Sequence, residues 1–182
     1  MKYKIVNRVA SSFLGGQLDL FNLAVSHPDI EYEPEQFPGA IMRLTEPKVT
    51  LLLFKNGKII CAGASSDAEV PLAIKRCSEI IHKLQSDIQI QTKPVYEIVN
   101  IVANAQIDQT FNLFDMALEL DNVEYEPEQF PGAIIRLYKP KVSLLLFKNG
   151  KIICAGAKSE QDVIDSIKEI EKLAETLKKK KA

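Results

Sequence analysis

The sequence lacks several features that define common classes of protein. It has no run of about 18 or more apolar residues, which a membrane-spanning helix needs. Its first residues, MKYKIVNRVA, do not have the layout of a secretory signal peptide. The three cysteines cannot all pair with one another, so a reduced, cytoplasmic chain is expected.

An excess of charge of one sign is also absent. The 182 residues include 23 Lys and Arg against 24 Asp and Glu, for a formal net charge of −1. This balance argues against a protein that binds nucleic acid by overall charge alone, but positive charge is concentrated locally. Lys and Arg cluster in segments 43–58 and 136–151, and Lys178–Lys181 forms a short basic tail that is expected to be solvated and mobile.

Patterns typical of catalytic or metal sites are missing. His27 and His82 are single residues without an equivalent elsewhere in the chain. No Cys/His cluster has metal-ligand spacing, and there is no glycine-rich phosphate loop or repeated Ser/His/Asp arrangement. The sequence therefore predicts a protein that is not an enzyme and needs no metal or cofactor.

A long internal repeat dominates the sequence. Residues 31–64 return as residues 124–157, at an offset of 93 positions (124 minus 31), and the copies differ only at 42, 45, 46 and 50 and their equivalents. We therefore predict two like halves, 1–92 and 93–182, with the basic tail in the second. The joint at 91–94 is too short for a flexible linker, so the halves should share a sheet or core. A repeated site would suit a partner with two-fold character, such as duplex DNA.

Each half has the same predicted order of elements, which indicates an α+β fold with an antiparallel sheet and helices on one face. In the first half these are a strand at 3–10, a helix at 18–26, strands at 39–45, 48–55 and 58–64, and a long helix to about 86. Asn56-Gly57 predicts a two-residue hairpin turn with positive φ at both residues. Ser66 and Glu69 predict a capping box for the long helix, whose equivalent would run from Ser159 to about Lys178.

The predicted strands are apolar on both faces. Val49, Leu51 and Leu53 alternate with Leu52 and Phe54, and the next strand continues the same pattern. Helices on one side of the sheet would cover only one of these faces. The other face is expected to be an interaction surface, either for dimerisation through the sheet or for another partner.

The phenylalanines complete a pattern that resembles a known family. Phe37 and Phe54, and their equivalents Phe130 and Phe147, form two pairs with the same spacing. These pairs, the E-Q-F-P-G segments and the duplicated L-L-L-F-K-N-G-K-I-I-C-A-G-A strands closely resemble the TATA-box-binding protein family over essentially the whole chain. The near-identity of the repeats and the absence of a long N-terminal extension resemble archaeal members.

The resemblance implies a saddle of two pseudo-symmetric repeats, in which a ten-stranded curved antiparallel sheet carries four helices on its convex face. It also implies a general transcription initiation factor whose sheet binds the minor groove of TATA-box promoter DNA and bends it. Insertion of apolar side chains between base steps is a known property of this family. The implied intercalating residues are Phe37, Phe54, Phe130 and Phe147.

The resemblance also implies the remaining contacts. The implied base contacts are Asn7, Val9, Leu52, Ile60, Ala62, Asn100, Val102, Leu145, Ile153 and Ala155. At Ala62 and Ala155 eukaryotic relatives carry threonine. The implied phosphate contacts are Arg43, Lys58, Arg136 and Lys151.

Acidic loops at 31–36 and 124–129 are expected to flank the phenylalanines. By resemblance, Glu126, Glu128 and Gln129 would bind a TFIIB-like factor, through which RNA polymerase is recruited indirectly. The implied location is the cytoplasm, in association with the nucleoid, with a homodimer as an option for the free protein. Two alternatives stay open: a module that buries its apolar sheet face on a protein partner, and a substrate-binding module of a nucleic-acid-processing enzyme.

Overall fold

The computed structural model describes every residue from Met1 to Ala182. Its ten strands form one sheet in the order β2-β3-β4-β5-β1-β6-β10-β9-β8-β7. The chain divides into two compact units. The N-terminal unit comprises Asn7–Val99, and the C-terminal unit comprises Met1–Val6 with Asn100–Ala182. Because the first residues of the chain belong to the C-terminal unit, the predicted division between 92 and 93 stays a prediction.

The elements of the two repeats occur in the same order. The first repeat contains β1 (Lys2–Phe13), α1 (Leu20–Ser26), β2 (Ile30–Glu31), β3 (Ala40–Thr45), β4 (Lys48–Leu53), β5 (Lys58–Ala64) and α2 (Glu69–Leu84). The second contains β6 (Tyr96–Gln106), α3 (Leu113–Glu119), β7 (Val123–Glu124), β8 (Ala133–Tyr138), β9 (Lys141–Leu146), β10 (Lys151–Ala157) and α4 (Glu160–Lys181). Ten strands and four helices confirm the predicted α+β class. The two-residue strands β2 and β7 were not predicted, since two residues are too few to show an alternating pattern.

The core of each unit lies between the sheet and its helices. In the N-terminal unit, Leu51, Leu53 and Ile59 are fully buried, and they pack in one cluster with Ile74 and Ile81 of α2. In the C-terminal unit the equivalent strand residues are also fully buried, and α4 contacts β10. Complete burial of each such side chain stabilises the fold by roughly 1.5–3 kcal/mol. One of the two apolar strand faces therefore forms the core, as the sequence predicted.

The turn between β4 and β5 differs from the predicted type. Gly57 has a φ of +89°, whereas no residue other than glycine has positive φ, so Asn56 does not. The Gly57 N–H donates to the carbonyl of Phe54 at 2.9 Å, and the Phe54 N–H donates to that of Lys58 at 2.9 Å. The loop thus has three residues, of which only the last needs positive φ. The Asn56 side chain instead accepts the Lys58 N–H at 3.0 Å.

The capping box predicted at Ser66 does not form. Helix α2 begins at Glu69 after Ala68, and no side chain caps it. Pro71 explains the later start, because its ring would clash with the carbonyl of Asp67 in a helix that began at that residue. The Asp67 carboxylate instead accepts a hydrogen bond from the buried Arg8 guanidinium at 2.8 Å. The helix also ends at Leu84, two residues before the predicted end.

A serine cap forms in the second repeat, where Ile164 replaces the proline. The Ser159 hydroxyl accepts the Asp162 N–H at 3.1 Å, and the Asp162 carboxylate accepts the Lys158 N–H at 3.0 Å. The prediction of a mobile basic tail is wrong, because helix α4 continues to Lys181. The ammonium groups of Lys180 and Lys181 form ion pairs with carboxylates of α3.

The two serines provide a matched test of this difference. We expect Ser159→Ala to lower the free energy of unfolding by about 1 kcal/mol, because it removes a helix cap. Ser66→Ala should change it by less than about 0.5 kcal/mol, since its side chain caps nothing. Urea unfolding followed by circular dichroism measures both. Equal losses in the two variants would contradict the assignment of the caps.

Candidate nucleic-acid interface

The sheet face opposite the helices carries two rows of partly exposed side chains in each repeat. In the first repeat, one row joins Val9, Ala62, Thr50 and Arg43 across four strands, through register pairs. The other row joins Ile60, Leu52 and Ile41. In the second repeat the same positions form the rows Val102, Ala155, Ser143, Arg136 and Ile153, Leu145, Ile134. The apolar members are all partly exposed, so each repeat presents an apolar strip with an arginine at one end.

A backbone bulge fixes the orientation of each asparagine beside the strip. The pairing of β1 with β5 shifts register at Gly63, whose φ is +93°. The Gly63 N–H donates to the Asn7 side-chain oxygen at 2.7 Å, and the Gly156 N–H donates to that of Asn100 at 2.8 Å. Because an N–H group requires an acceptor, the side-chain oxygen must face the glycine. The amide NH₂ of each asparagine is therefore left to donate elsewhere.

Each pair of phenylalanines forms one aromatic cluster. The ring centroids of Phe37 and Phe54 lie 5.9 Å apart at an interplanar angle of 66°, an edge-to-face arrangement. Phe130 and Phe147 repeat this geometry at 5.8 Å and 63°. All four rings are partly exposed, the most exposed being Phe130 at 37%, so they can contact a partner. Edge-to-face packing stabilises such pairs by about 0.5–1.5 kcal/mol beyond burial.

A glycine makes room for each pair of rings. A Cβ atom added at Gly39 would lie 2.9 Å from the nearest carbon of Phe37 and 3.2 Å from that of Phe54. The same atom at Gly132 would meet Phe130 and Phe147 at the same two distances. Neither these glycines nor the two bulge glycines were among the predicted site residues. Their identity in both repeats was the available signal.

The cationic residues of the site have different surroundings. Lys58 and Lys151 are exposed at the start of β5 and β10, and the Lys151 ammonium lies 5.9 Å from the centre of the Phe147 ring. Arg43 and Arg136 form exposed ion pairs with Glu31 and Glu124, at 3.1 Å and 2.7 Å. The two glutamates end strands β2 and β7, so they are not loop residues as predicted. Exposed pairs of this kind contribute at most about 1 kcal/mol, so a stronger anion can replace the carboxylate.

The acidic loops project into solvent. Glu126, Glu128 and Gln129 are exposed, and so are their equivalents in the first repeat. Beside the second loop, Phe114 of α3 lines a cleft with Tyr125 and Lys148. Its ring is 62% exposed, and that of the equivalent Phe21 in the first repeat is 72% exposed. An exposed aromatic ring next to an acidic loop gives this region the character of a protein-binding surface.

The cysteines do not form a reactive or metal-binding site. Cys61, Cys77 and Cys154 are buried and free. Burial raises the pKa of Cys77 to about 12 and those of Cys61 and Cys154 to about 11, so the thiols stay protonated near neutral pH. No group of three His, Cys, Asp or Glu side chains is arranged to hold a metal ion. None of the helices combines the length and apolar character needed to cross a membrane.

Comparison with known proteins agrees with this geometry. The sequence model described as transcription factor TFIID (or TATA-binding protein, TBP) matches residues 2–84 and 95–179. The chain belongs to the TATA-binding protein family. This membership confirms the family resemblance and the predicted class of fold. It also confirms that the chain is not an enzyme, because the family consists of transcription factors.

Archaeal members of the TATA-binding protein family match nearly the full chain. The TATA-box-binding protein of Methanocaldococcus jannaschii is 45% identical over 178 residues, which cover 93% of this chain and 96% of the relative. That of Thermoplasma acidophilum is also 45% identical, over 94% of this chain and 93% of the relative. The solved structure of Methanococcus jannaschii TBP superimposes with a TM-score of 0.85 at 44% identity and covers 97% of this chain and 99% of that one.

Proposed function

We propose that this chain is a general transcription initiation factor that binds the minor groove of A·T-rich promoter DNA. The observation that carries the proposal is the apolar strip, which each repeat bounds with a phenylalanine pair, an asparagine donor and exposed cations. DNA binding of this kind would place the chain in the cytoplasm, on the nucleoid.

The apolar strip supports discrimination between base pairs. In the minor groove, A·T pairs present only acceptors, whereas G·C pairs add the guanine amino donor. Against Leu52, Ile60 and their equivalents, that amino group would be buried without a partner, at a cost of about 1–3 kcal/mol. Asn7 and Asn100 can donate to the acceptors, because the bulge glycines already occupy their oxygens.

Binding to matched duplexes tests this discrimination. We expect replacement of two central A·T pairs by G·C pairs to weaken binding by at least about tenfold. The two guanine amino groups would lose their hydrogen bonds to water and find no acceptor on the apolar strip. Fluorescence anisotropy at constant salt measures both affinities. Equal affinity for the two duplexes would instead support the alternative of a protein-interaction module that buries its sheet face on a protein partner or on a second copy.

We further propose that Phe37, Phe54, Phe130 and Phe147 enter base steps and bend the DNA. Edge-to-face contact and the glycine beneath each pair hold the exposed rings in a defined position. Arg43, Lys58, Arg136 and Lys151 would bind phosphates, and the arginines would exchange their glutamate partners for phosphate oxygens. Contacts to phosphates hold the register without reading sequence.

Removal of one ring tests the role in bending. Phe147→Ala should reduce the bend and weaken binding on the order of tenfold, since base–aromatic stacking is worth about 1–3 kcal/mol. Fluorescence energy transfer between dyes at the two duplex ends measures the bend. The control is Phe114→Ala, which removes an exposed ring on α3 that is not proposed to touch DNA. An unchanged bend in Phe147→Ala would rule out insertion of this residue.

We also propose that the loop at 124–129 recruits a TFIIB-like factor and, through it, RNA polymerase. Glu126, Glu128 and Gln129 are exposed there, and the ring of Phe114 adds apolar surface beside them. Carboxylates and an aromatic ring suit a partner with basic and apolar side chains.

The duplicated loop supplies a matched control for recruitment. The double variant Glu126→Arg with Glu128→Arg should leave DNA binding intact and weaken recruitment of the TFIIB-like factor by reversing the charge of the loop. The double variant Glu33→Arg with Glu35→Arg should leave recruitment largely unchanged. Mobility shift of the DNA complex with added factor measures both. Loss of DNA binding in the first variant would contradict the assignment of the loop to a protein partner.

A further inference from the structure

The proposed DNA contacts are the same in both repeats. Every proposed base contact, intercalating residue and phosphate contact has an identical residue at the 93-residue offset. Those contacts would therefore contribute equally if the protein were turned around on its site. Without a protein partner, any preference for one orientation must come from side chains that differ between the repeats. This inference rests on the proposed function.

Two such differences meet in one cleft of the C-terminal unit. The cleft is lined by Arg136, Tyr138, Lys141, Ser143, Ala155 and Lys158, among others. Tyr138 follows Arg136 by two positions on β8, so both side chains lie on the face that carries the apolar strip. The Tyr138 side chain is 82% exposed. A phenol and an ammonium group thus extend the cationic end of the strip.

The N-terminal unit lacks both groups. Thr45 stands in place of Tyr138, and Ser65 stands in place of Lys158. Ser65 is already engaged, because its N–H and hydroxyl both donate to the Glu69 carboxylate, at 2.7 Å and 3.0 Å. The carboxylate of Asp162 lines the cleft in the C-terminal unit. It does not distinguish the repeats, since Glu69 is its equivalent.

A further charge difference on the neighbouring turn between two strands is compensated. Glu46 in the first repeat corresponds to Lys139 in the second. Arg76 of α2 donates a hydrogen bond to the Glu46 carbonyl, and the equivalent of Arg76 in α4 is Glu169. Each repeat thus has one acidic and one basic residue at these two positions, and the pair adds no net charge to either unit. Near Ser65 the first repeat instead has the Arg8 guanidinium, which is buried and donates to the Ser65 carbonyl and the Asp67 carboxylate, whereas Lys158 is exposed.

We propose that Tyr138 and Lys158 form an additional phosphate-binding site that only the C-terminal repeat possesses. The ammonium group supplies charge, and the phenol donates a hydrogen bond to a second phosphate oxygen. The C-terminal repeat then holds the DNA backbone more tightly than the N-terminal repeat. The protein is oriented on its site wherever the two flanks present their phosphates differently.

Salt dependence tests the phosphate contact itself. Neutralisation of one phosphate contributes about 0.9 to the slope of log K against log salt concentration. Lys158→Ser should reduce the magnitude of that slope by about 0.9. Over a fourfold rise in salt concentration, the variant should therefore lose about threefold less affinity than the wild-type chain. Ser65→Lys combined with Thr45→Tyr should increase it by a similar amount. An unchanged slope in Lys158→Ser would overturn the phosphate site.

Orientation is tested on a duplex with a self-complementary A·T core and neutral methylphosphonates in one flank. Fluorescence energy transfer from a dye on the protein to one duplex end should place the C-terminal repeat of the wild-type chain on the charged flank. The variant Tyr138→Thr with Lys158→Ser should lose this bias, and adding Thr45→Tyr with Ser65→Lys should reverse it. An unchanged bias in the first variant would overturn the proposal.

The two proposals can fail separately. Loss of discrimination between A·T and G·C duplexes by the wild-type chain would count against the proposed function. The salt slope of Lys158→Ser would in that case still report on the phosphate site. Circular dichroism spectra of the variants check that these exposed substitutions leave the fold intact.

Discussion

The inward side chains of β4 and β5 pack against α2, and α4 contacts β10 in the second repeat. The side chains of a strand alternate between its faces, so burial of Leu51 and Ile59 forces Leu52 and Ile60 to the opposite side. A slip of one residue in register would exchange the two sets and place the partly exposed strip in the core. Packing against the helices therefore determines which residues are available to a partner.

The local features of the site depend on that register. The bulge glycines, Gly63 and Gly156, lie where the pairing shifts, and their N–H groups orient the asparagine side chains. A side chain at Gly39 would press on both rings of the first phenylalanine pair. Each is a backbone position with a special role, and each is repeated. The two repeats therefore share the backbone geometry of the site as well as its side chains.

The two repeats have diverged mainly outside these positions. Pro71 delays the start of α2, while α4 begins with a cap from the Ser159 side chain and continues to Lys181. Tyr138 and Lys158 extend the cationic end of one repeat only. The residues at the centre of the surface are the same in both repeats, and those at its ends differ. Such a surface suits a partner that has two similar halves and is bound in one orientation.

The sequence by itself determined the repeat, the α+β class, the apolar character of both strand faces and the family. These properties follow from periodicity and residue identity, which are local. Only the tertiary structure decided that Asn56 lacks positive φ, that Ser66 caps nothing and that Arg43 contacts Glu31. Asn56 depends on which hydrogen bonds close its loop, Ser66 on the steric constraint of Pro71, and Arg43 on a partner in another strand. The meeting of Tyr138 with Lys158 in one cleft has the same origin, because β8 and the segment after β10 approach only through the pairing of the strands between them.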